Sequence, residues 1–500
     1  MKYGFLLQRQ FAYIGHYLAQ ALKAGYGTAD FCGYVYLRSS NHFLKNQKEI
    51  SYSSLLLDQD LHEEWKNEKL DHAYLADLEK RIGLPSLWPY LIADRVIMQE
   101  QLVREYPHDR QRYTHEELLK MLQVRAKAID AFMEKEKPDI VFGIPPGALG
   151  SMLFYHMAKA HGAKAFYVVQ TNLLSRWLLT EDYRTFTPVD NMFRTQRAEL
   201  LASQDGAWAR DFLKKFRDKP LPNFAKATPM HQPVTRKQQF RFLNPMKALG
   251  PIREVIKAIS RHLKSDERDD YDYINPLWQT WDLVKRKLRN LRGNDDLYDA
   301  FDPKEDFAFF PLHYEPELSL LVLAPAFTDQ IALIRQIAKS LPAQMKLCVK
   351  EHPVMAQFRP RAFYEQLKKI PNVKLLPPTL SGSQVTPHAK LVLTITGTVG
   401  WEACLFGVPV ISFGHQNFNA LSNVTPCHDM EELAHVIRRR LDAKDYDEED
   451  VVAYLAALHR QSFEMDLRQL WEEETDQEKR RNGMKPLADA LHAASERALG

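Results

Sequence analysis

Between residues 346 and 414 the chain reads KLCVKEHPVMAQFRPRAFYEQLKKIPNVKLLPPTLSGSQVTPHAKLVLTITGTVGWEACLFGVPVISFG. Two apolar runs in it, KLCV and KLVLTI, each end in a polar turn. The first turn is Lys350-Glu351-His352-Pro353. The second is Thr394-Ile395-Thr396-Gly397-Thr398, followed by Trp401-Glu402-Ala403 on an expected helix. A buried strand that runs into a Gly/Thr turn and then a helix is how open α/β sheets build anion sites. The helix start offers unpaired N–H groups and a partial positive charge. The expected ligand is therefore phosphorylated, and a nucleotide is the first candidate.

The same strand–helix rhythm runs on both sides of a long interruption. In the N-terminal part, strands are predicted at residues 3–7, 34–37, 139–143 and 164–170, with helices at 10–23, 116–136 and 151–162. Residues 57–118 read as a charged helical excursion. The C-terminal part predicts strands at 306–312, 345–350, 372–376, 390–395 and 408–413, with helices at 329–341, 361–369, 400–406 and 430–443. Apolar strands alternating with helices predict parallel sheets covered on both faces. From 191 to 298 the strand signal disappears. That region holds an amphipathic pattern at 251–264, PIREVIKAISRHLK, with basic residues beside its apolar stripe. A second basic cluster follows at Lys285-Arg286-Lys287. The last 55 residues read as helices only.

Five hundred residues are too many for one core, so two domains are expected. A net charge of +3 is nearly balanced over this length and argues against a nucleic-acid partner. The four cysteines, Cys32, Cys348, Cys404 and Cys427, are far apart, which argues against a zinc site or a disulfide framework. No segment approaches the roughly 20 apolar residues of a spanning helix, and MKYGFLLQRQ does not read as a signal peptide. The expected location is cytoplasmic, or peripheral on the inner face of an inner membrane. The basic pattern at 251–264 offers an anionic membrane surface as a partner.

Several residues carry candidate chemistry. Glycine at 397 lets a ligand approach the backbone, while the hydroxyls of Thr396 and Thr398 can bond phosphate or cap the helix. Glu402 lies one turn along from Thr398 on the same helix face. Lys350 and His352 add positive charge or donors. His313 and Glu317, in the run Phe310-Pro311-Leu312-His313-Tyr314-Glu315-Pro316-Glu317, are candidates for a catalytic base. Asp329 is as good a helix cap as a functional acid. In the N-terminal half, the glycine-rich stretch around Gly147 and Arg176 are candidates for an acceptor site, and Arg176 and Arg184 are candidates for steadying an anionic substrate. Asp269-Asp270 and Asp295-Asp296 lie in the excursion, away from any metal-binding turn, so metal independence is expected.

The ordered set PLHYEPE, KEHP and TITGT-GWEA, with GVPVISFG after it, resembles the C-terminal half of bacterial capsule and surface polysaccharide biosynthesis proteins. That family is related to Kdo- and sialyl-type glycosyltransferases of the GT-B fold. The resemblance covers roughly residues 306–415. It implies a GT-B-like α/β fold, with two Rossmann-type domains facing a cleft. The expected division is an acceptor domain at 1–190, a mainly helical basic excursion at 191–300, a nucleotide-sugar domain at 301–445 and a helical tail at 446–500. It also implies that Glu402 takes the ribose hydroxyls and His352 the phosphate. The expected activity is transfer of a sugar from a CMP- or UDP-linked donor to a glycan or glycolipid acceptor, with no permanently bound cofactor. The alternatives are a nucleotide-sugar epimerase of the same fold and a non-catalytic polysaccharide-binding or export-coupling protein.

Overall fold

The computed structural model of the chain describes residues 1–9, 11–99, 112–173, 175–220, 253, 255–260, 262–263, 266–443, 446–467, 469–470, 474 and 476–500. Two sheets organise it. The first contains β1 (Lys2–Leu7), β2 (Asp30–Val35), β3 (Tyr52–Leu57), β4 (Ile140–Gly143), β5 (Lys164–Gln170), β6 (Arg176–Thr180) and β13 (Phe463–Glu464), in the order β13-β6-β5-β4-β1-β2-β3. From β3 to β5 all neighbours are parallel, while β6 is antiparallel to both β5 and β13. The second sheet contains β7 (Phe307–Pro311), β8 (Lys346–Lys350), β9 (Val373–Leu376), β10 (Leu391–Thr394), β11 (Val410–Ser412) and β12 (Val424–Pro426), in the order β12-β11-β10-β7-β8-β9. All its pairings are parallel. The expected architecture of two Rossmann-type α/β units is thus present.

The helices that position the site are α1 (Phe11–Tyr26), α2 (Arg95–Gln99), α3 (His115–Glu136), α4 (Leu149–Ala160), α5 (Thr187–Thr195), α6 (Arg197–Ala202), α7 (Gln204–Asp218), α8 (Pro276–Arg289), α9 (Gln330–Ser340), α10 (Thr398–Phe406), α11 (Glu448–Gln461) and α12 (Lys485–Leu499). The strands of the second sheet form for a simple reason. FAFFP in β7 and LVLT in β10 are buried at every position, as parallel strands covered on both faces must be. β7 opens the domain, and the chain winds first to one side of it through β8 and β9, then to the other through β10, β11 and β12. Strand order therefore reverses at β7, and the space outside the carboxyl ends of β7 and β10 is where open α/β sheets place their ligand crevice.

The two units share one apolar core. Tyr34, Phe154 and Leu213 on the N-terminal side belong to the same buried cluster as Trp401, Cys404 and Tyr454. α11 packs against α5, α6 and α7. Its first turn carries Glu448, Glu449 and Asp450 after the Asp447 cap, which suits the positive end of the helix. Arg197 reaches Asp450, Arg210 reaches Glu449 and Arg217 reaches Glu448. The chain thus leaves the second sheet and returns to the first unit, where α12 lies along α1.

Several sequence expectations change here. The last 55 residues are not helices only, because Phe463–Glu464 adds a short edge strand to the first sheet. Two residues are too few to show a periodicity. β3, reading YSSLLL, is a half-exposed edge strand that the sequence pattern did not mark, because its serines mask the alternation; the helical excursion expected at 57–118 meets it only at Leu57. The strand expected at 34–37 begins earlier, at Asp30. β6 and β12 are short strands that the sequence pattern did not mark. Residues 221–252 lie outside the described residues, as do Arg261 and Lys264 of the amphipathic pattern at 251–264.

Arg176, expected near an acceptor, is held elsewhere. Its guanidinium donates to the Ser462 hydroxyl at 2.8 Å and to the His459 and Ser462 carbonyls at 2.7 and 2.6 Å, and pairs with Glu464. These bonds tie the C-terminal segment to the first sheet and leave the acceptor role without support. Arg176→Ala should lower stability by about 1–3 kcal/mol, since it strands buried carbonyls. Thermal unfolding with limited proteolysis tests this: the C-terminal segment should be cut first, and cutting unchanged from the parent would refute the tie.

Candidate functional site

The candidate residues of the second sheet converge on the crevice at β7 and β10. His313 follows β7 and is buried. Its Nε2 accepts a hydrogen bond from the Thr396 backbone N–H at 3.0 Å, and it lies 3.4 Å from the Thr394 hydroxyl oxygen. The Thr394 hydroxyl in turn accepts from the Gly397 N–H at 3.0 Å. The turn after β10 is thus pinned from below by two side chains.

Gly397 has a reason for being glycine that the sequence did not show. A Cβ there would lie 3.0 Å from the Thr394 hydroxyl oxygen and 3.1 Å from His313 Nε2. The missing side chain makes room for the imidazole under the turn, so a bulky residue would disturb the turn itself as well as any ligand above it. Gly397 is also the N-cap of α10, and no side chain caps that helix. Among the described residues the buried Thr396 hydroxyl has no hydrogen-bond partner. An uncapped helix start beside an unpartnered buried hydroxyl suits an anion.

His313 cannot easily play the base expected of it. With Nε2 accepting from a backbone N–H, the neutral ring carries its proton on Nδ1. Burial, with the Arg359 guanidinium nearby, lowers its pKa to about 3. It is therefore neutral, and its free lone pair is already used. The backbone around it is fixed just as firmly. Gln330 Oε1 accepts from the His313 N–H at 2.8 Å, and Arg359 donates to the His313 carbonyl at 2.5 Å. Arg359 is fully buried, pairs with the equally buried Glu351 and lies 3.6 Å from Glu315. Glu351, Gln330 and Arg359 are the residues that the sequence reading missed. Only Glu351, inside KEHP, carried any signal, and its role is to hold Arg359.

Glu317 is placed differently. It is exposed, precedes the short helix Leu318–Leu321, and accepts from the Ser319 hydroxyl at 2.7 Å. Arg95, at the start of α2, feels the charge of Glu317 and donates to the Pro316 carbonyl at 3.3 Å. Glu317 therefore stands on the rim that faces the first unit. Gly147, expected on the acceptor side, lies on the opposite face of the same contact. A Cβ on it would come within 2.6 Å of the Leu318 side chain. A cavity of about 140 Å³ lies beside them, lined in part by Arg9, Arg95, Gly147 and Leu318. Arg184 pairs with Asp182, and Asp329 caps α9 by accepting from the Ala332 N–H.

Lys350 and Glu402 form a second pair of groups beside the crevice. Both are buried, at 7% and 9% exposure. The Lys350 ammonium donates to the Glu351 carbonyl at 3.0 Å. Burial lowers its pKa to about 8, against the attraction of Glu351 and Glu402. Burial raises the Glu402 carboxyl to about 7, against the attraction of Lys350. Gly382, the first residue of the short helix Gly382–Val385, lies against Glu402, and a Cβ on it would stand 3.5 Å from a carboxylate oxygen. His352, half-buried, has its ring 5.9 Å from that of Tyr314. Among the described residues no cluster of His, Cys, Asp or Glu has the makings of a metal site.

A carboxyl that titrates near pH 7 inside the fold opposes folding. Unfolded, Glu402 loses its proton near the ordinary value of 4.5, whereas folded it holds the proton up to about 7. The folded state binds the extra proton between those values, so stability falls as pH rises through that window. Glu402→Gln should therefore gain roughly 3 kcal/mol relative to the parent above pH 7, and little at pH 4. Urea unfolding of both proteins across pH 4–8 checks this, and parallel stability curves would refute the buried, poorly partnered carboxyl.

Among solved structures, similar ones include the β-Kdo 2,4 transferase of KpsC from Thermosulfurimonas dismutans, at 14% identity and a TM-score of 0.37, covering 66% of this chain and 83% of that one. The β-Kdo 2,7 transferase of the same KpsC is 10% identical with a TM-score of 0.36, covering 72% of this chain and 89% of that one. The UDP-GlcNAc 2-epimerase of Methanocaldococcus jannaschii is 12% identical with a TM-score of 0.24, covering 92% and 99%. Scores this low bear on neither activity nor substrate. Comparison with curated proteins finds no match. The family model described as capsule polysaccharide biosynthesis protein matches residues 223–448, a span that contains β7 to β12, the pinned turn and Glu402. Over those residues the chain matches the model of the family that its motifs resemble.

Proposed function

We propose that the protein is a glycosyltransferase that moves a sugar from a CMP- or UDP-linked donor to a growing surface glycan, such as capsule or lipopolysaccharide. One observation carries the reading: the uncapped start of α10, with its turn pinned by His313, stands one helical turn from a buried carboxyl that has no hydrogen-bonding partner among the described residues. Glu402 takes the ribose hydroxyls. The Thr396 hydroxyl and the backbone N–H at the start of α10, at Thr398, hold the phosphate, while the Thr396 and Gly397 N–H groups stay on His313 and Thr394, and Lys350 and His352 balance its charge. As the bond from the sugar to the phosphate breaks, negative charge grows on the leaving phosphate, where fixed N–H dipoles stabilise it without reorganising. Glu317 takes the proton of the acceptor hydroxyl as its oxygen bonds to the anomeric carbon. His313 acts through the turn that it positions.

Thermal shift with CMP, UDP and GDP identifies the nucleotide. A ligand at about 100 times its dissociation constant adds roughly 2.7 kcal/mol. Transfer of labelled sugar to a glycan acceptor then tests the reaction, and conversion of the donor with no acceptor present would instead mark an epimerase. Glu317→Gln should lower kcat by about 100-fold or more while leaving nucleotide affinity unchanged. A parent-like kcat removes Glu317 as the base.

The binding roles separate by calorimetry. His352→Ala should weaken the nucleotide and spare the nucleoside, while Glu402→Ala should weaken both. Each loss should be about 1.5–3 kcal/mol, or roughly 10- to 150-fold. Parent-like binding of both ligands by Glu402→Ala would end the ribose assignment.

A further inference from the structure

α8 is an amphipathic helix set on the protein the wrong way round. Its polar face is turned inward. Asp282 and Asn290 are buried, Arg286 stacks on the Phe358 ring at 4.1 Å, and Arg289 donates to the Phe358 carbonyl at 2.5 Å. Asn290, the residue after the helix, donates to the Gln357 carbonyl at 2.5 Å. Its apolar face is turned outward. Leu277, Trp281, Val284, Leu288 and Leu291 recur at the spacing of one helical stripe. Leu277 is 57% exposed, Trp281 58% and Leu288 61%, with Val284 and Leu291 exposed as well. Trp278 lies at the edge of the same stripe and is 39% exposed.

A stripe of this size is not a scatter of single surface residues, and it is unfavourable in water. Its borders say what it fits. Lys285 and Lys287 lie on opposite sides of the stripe and Arg292 follows it. The Lys285 ammonium sits 5.7 Å from the Trp281 ring centre, so cation and indole are presented together. Ile256 and Leu263, in the preceding stretch, are exposed too, at 60% and 65%. Aliphatic side chains with tryptophan between rows of lysine and arginine match the boundary of an anionic bilayer, where indole sits at headgroup level and cations meet lipid phosphate. No helix among the described residues is long and apolar enough to cross a membrane, so the contact would be in the plane of the surface.

We propose that the outward face of α8 docks on an anionic lipid surface. The inward face fixes the consequence. α8 is anchored on Gln357 and Phe358, in the segment that follows His352, so docking would hold the rim of the crevice at a set distance from the bilayer. Bilayer docking does not depend on the sugar-transfer reading, because it requires no nucleotide.

The test uses the full chain and vesicles of phosphatidylcholine, alone or mixed with phosphatidylglycerol. The parent should sediment with the mixed vesicles at low salt, and less with phosphatidylcholine alone or at high salt. The double variant Trp281→Ser, Leu288→Ser should bind on the order of tenfold or more weakly, because both side chains leave the interface. The variant Lys285→Glu, Lys287→Glu should lose the preference for phosphatidylglycerol. Trp281 and Leu288 point outward, so thermal unfolding of that variant should match the parent and exclude misfolding; the lysine variant, whose Lys285 lies 3.5 Å from the buried Asp282 carboxylate, is read by its preference between the two vesicles and not by its stability. Brominated lipid should quench the parent's tryptophan fluorescence more than that of Trp281→Phe. Failure of the parent to sediment at low salt would overturn the proposal, as would unchanged binding by the Trp281→Ser, Leu288→Ser protein. A parent dimer that this variant abolishes, with no vesicle binding, would assign the face to a second copy of the chain instead.

Discussion

The hydrogen bond from the Thr396 N–H to His313 Nε2 is the contact on which the site depends. It joins the ends of β7 and β10, neighbours in the sheet, at the place where strand order reverses. Neither partner could hold the geometry alone. The imidazole is kept in place by Arg359 on its own carbonyl and by Gln330 on its own N–H, and Arg359 is kept in place by Glu351. This is a buried ionic network, in which removing one member leaves a charge stranded at a cost of about 3–5 kcal/mol. Its return is a turn that does not have to order itself when an anion arrives. Preorganised N–H dipoles are more effective than flexible ones because the reorganisation has already occurred on folding.

The same region shows a tension between stability and use. Lys350 and Glu402 are buried, and burial moves both toward neutrality, to about 8 and about 7. A fold selected for stability alone would replace such a pair with apolar side chains of similar volume. Around them the chain spends its packing freely: Trp401 beside Glu402 is almost fully buried, and β10 behind it is apolar throughout. Groups that cost stability in an otherwise well-packed place are where function is to be sought.

The relation of the two units rests on the C-terminal segment. α11 supplies apolar side chains to the common core and an acidic first turn to the arginines of α6 and α7, and β13 with α12 completes the first unit. The crevice is thus faced by a first unit whose last pieces come from the end of the chain. Arg95 on one side and Pro316 on the other bring the rims together, with Gly147 against Leu318.

The sequence by itself determined the α/β class, the buried strands β7, β8 and β10, and the turn with Thr396, Gly397 and Glu402. These are local patterns: an apolar run, a Gly/Thr turn and a helix carry their own signal within a few residues. It also marked His313, but not what His313 does, because an imidazole reads alike whether it takes a proton from a substrate or a hydrogen bond from a turn. Only the tertiary structure decided that, by bringing residue 313 to residue 396. It likewise decided that Arg176 serves the C-terminal segment, that Gly397 is small to admit a ring beneath it, and that Arg359, Gln330 and Glu351 belong to the site. It turned α8 apolar face outward, although its sequence reads like any helix with a stripe for the core. Each of these outcomes depends on partners far apart in the chain, and a contact of that kind leaves no period or spacing to read.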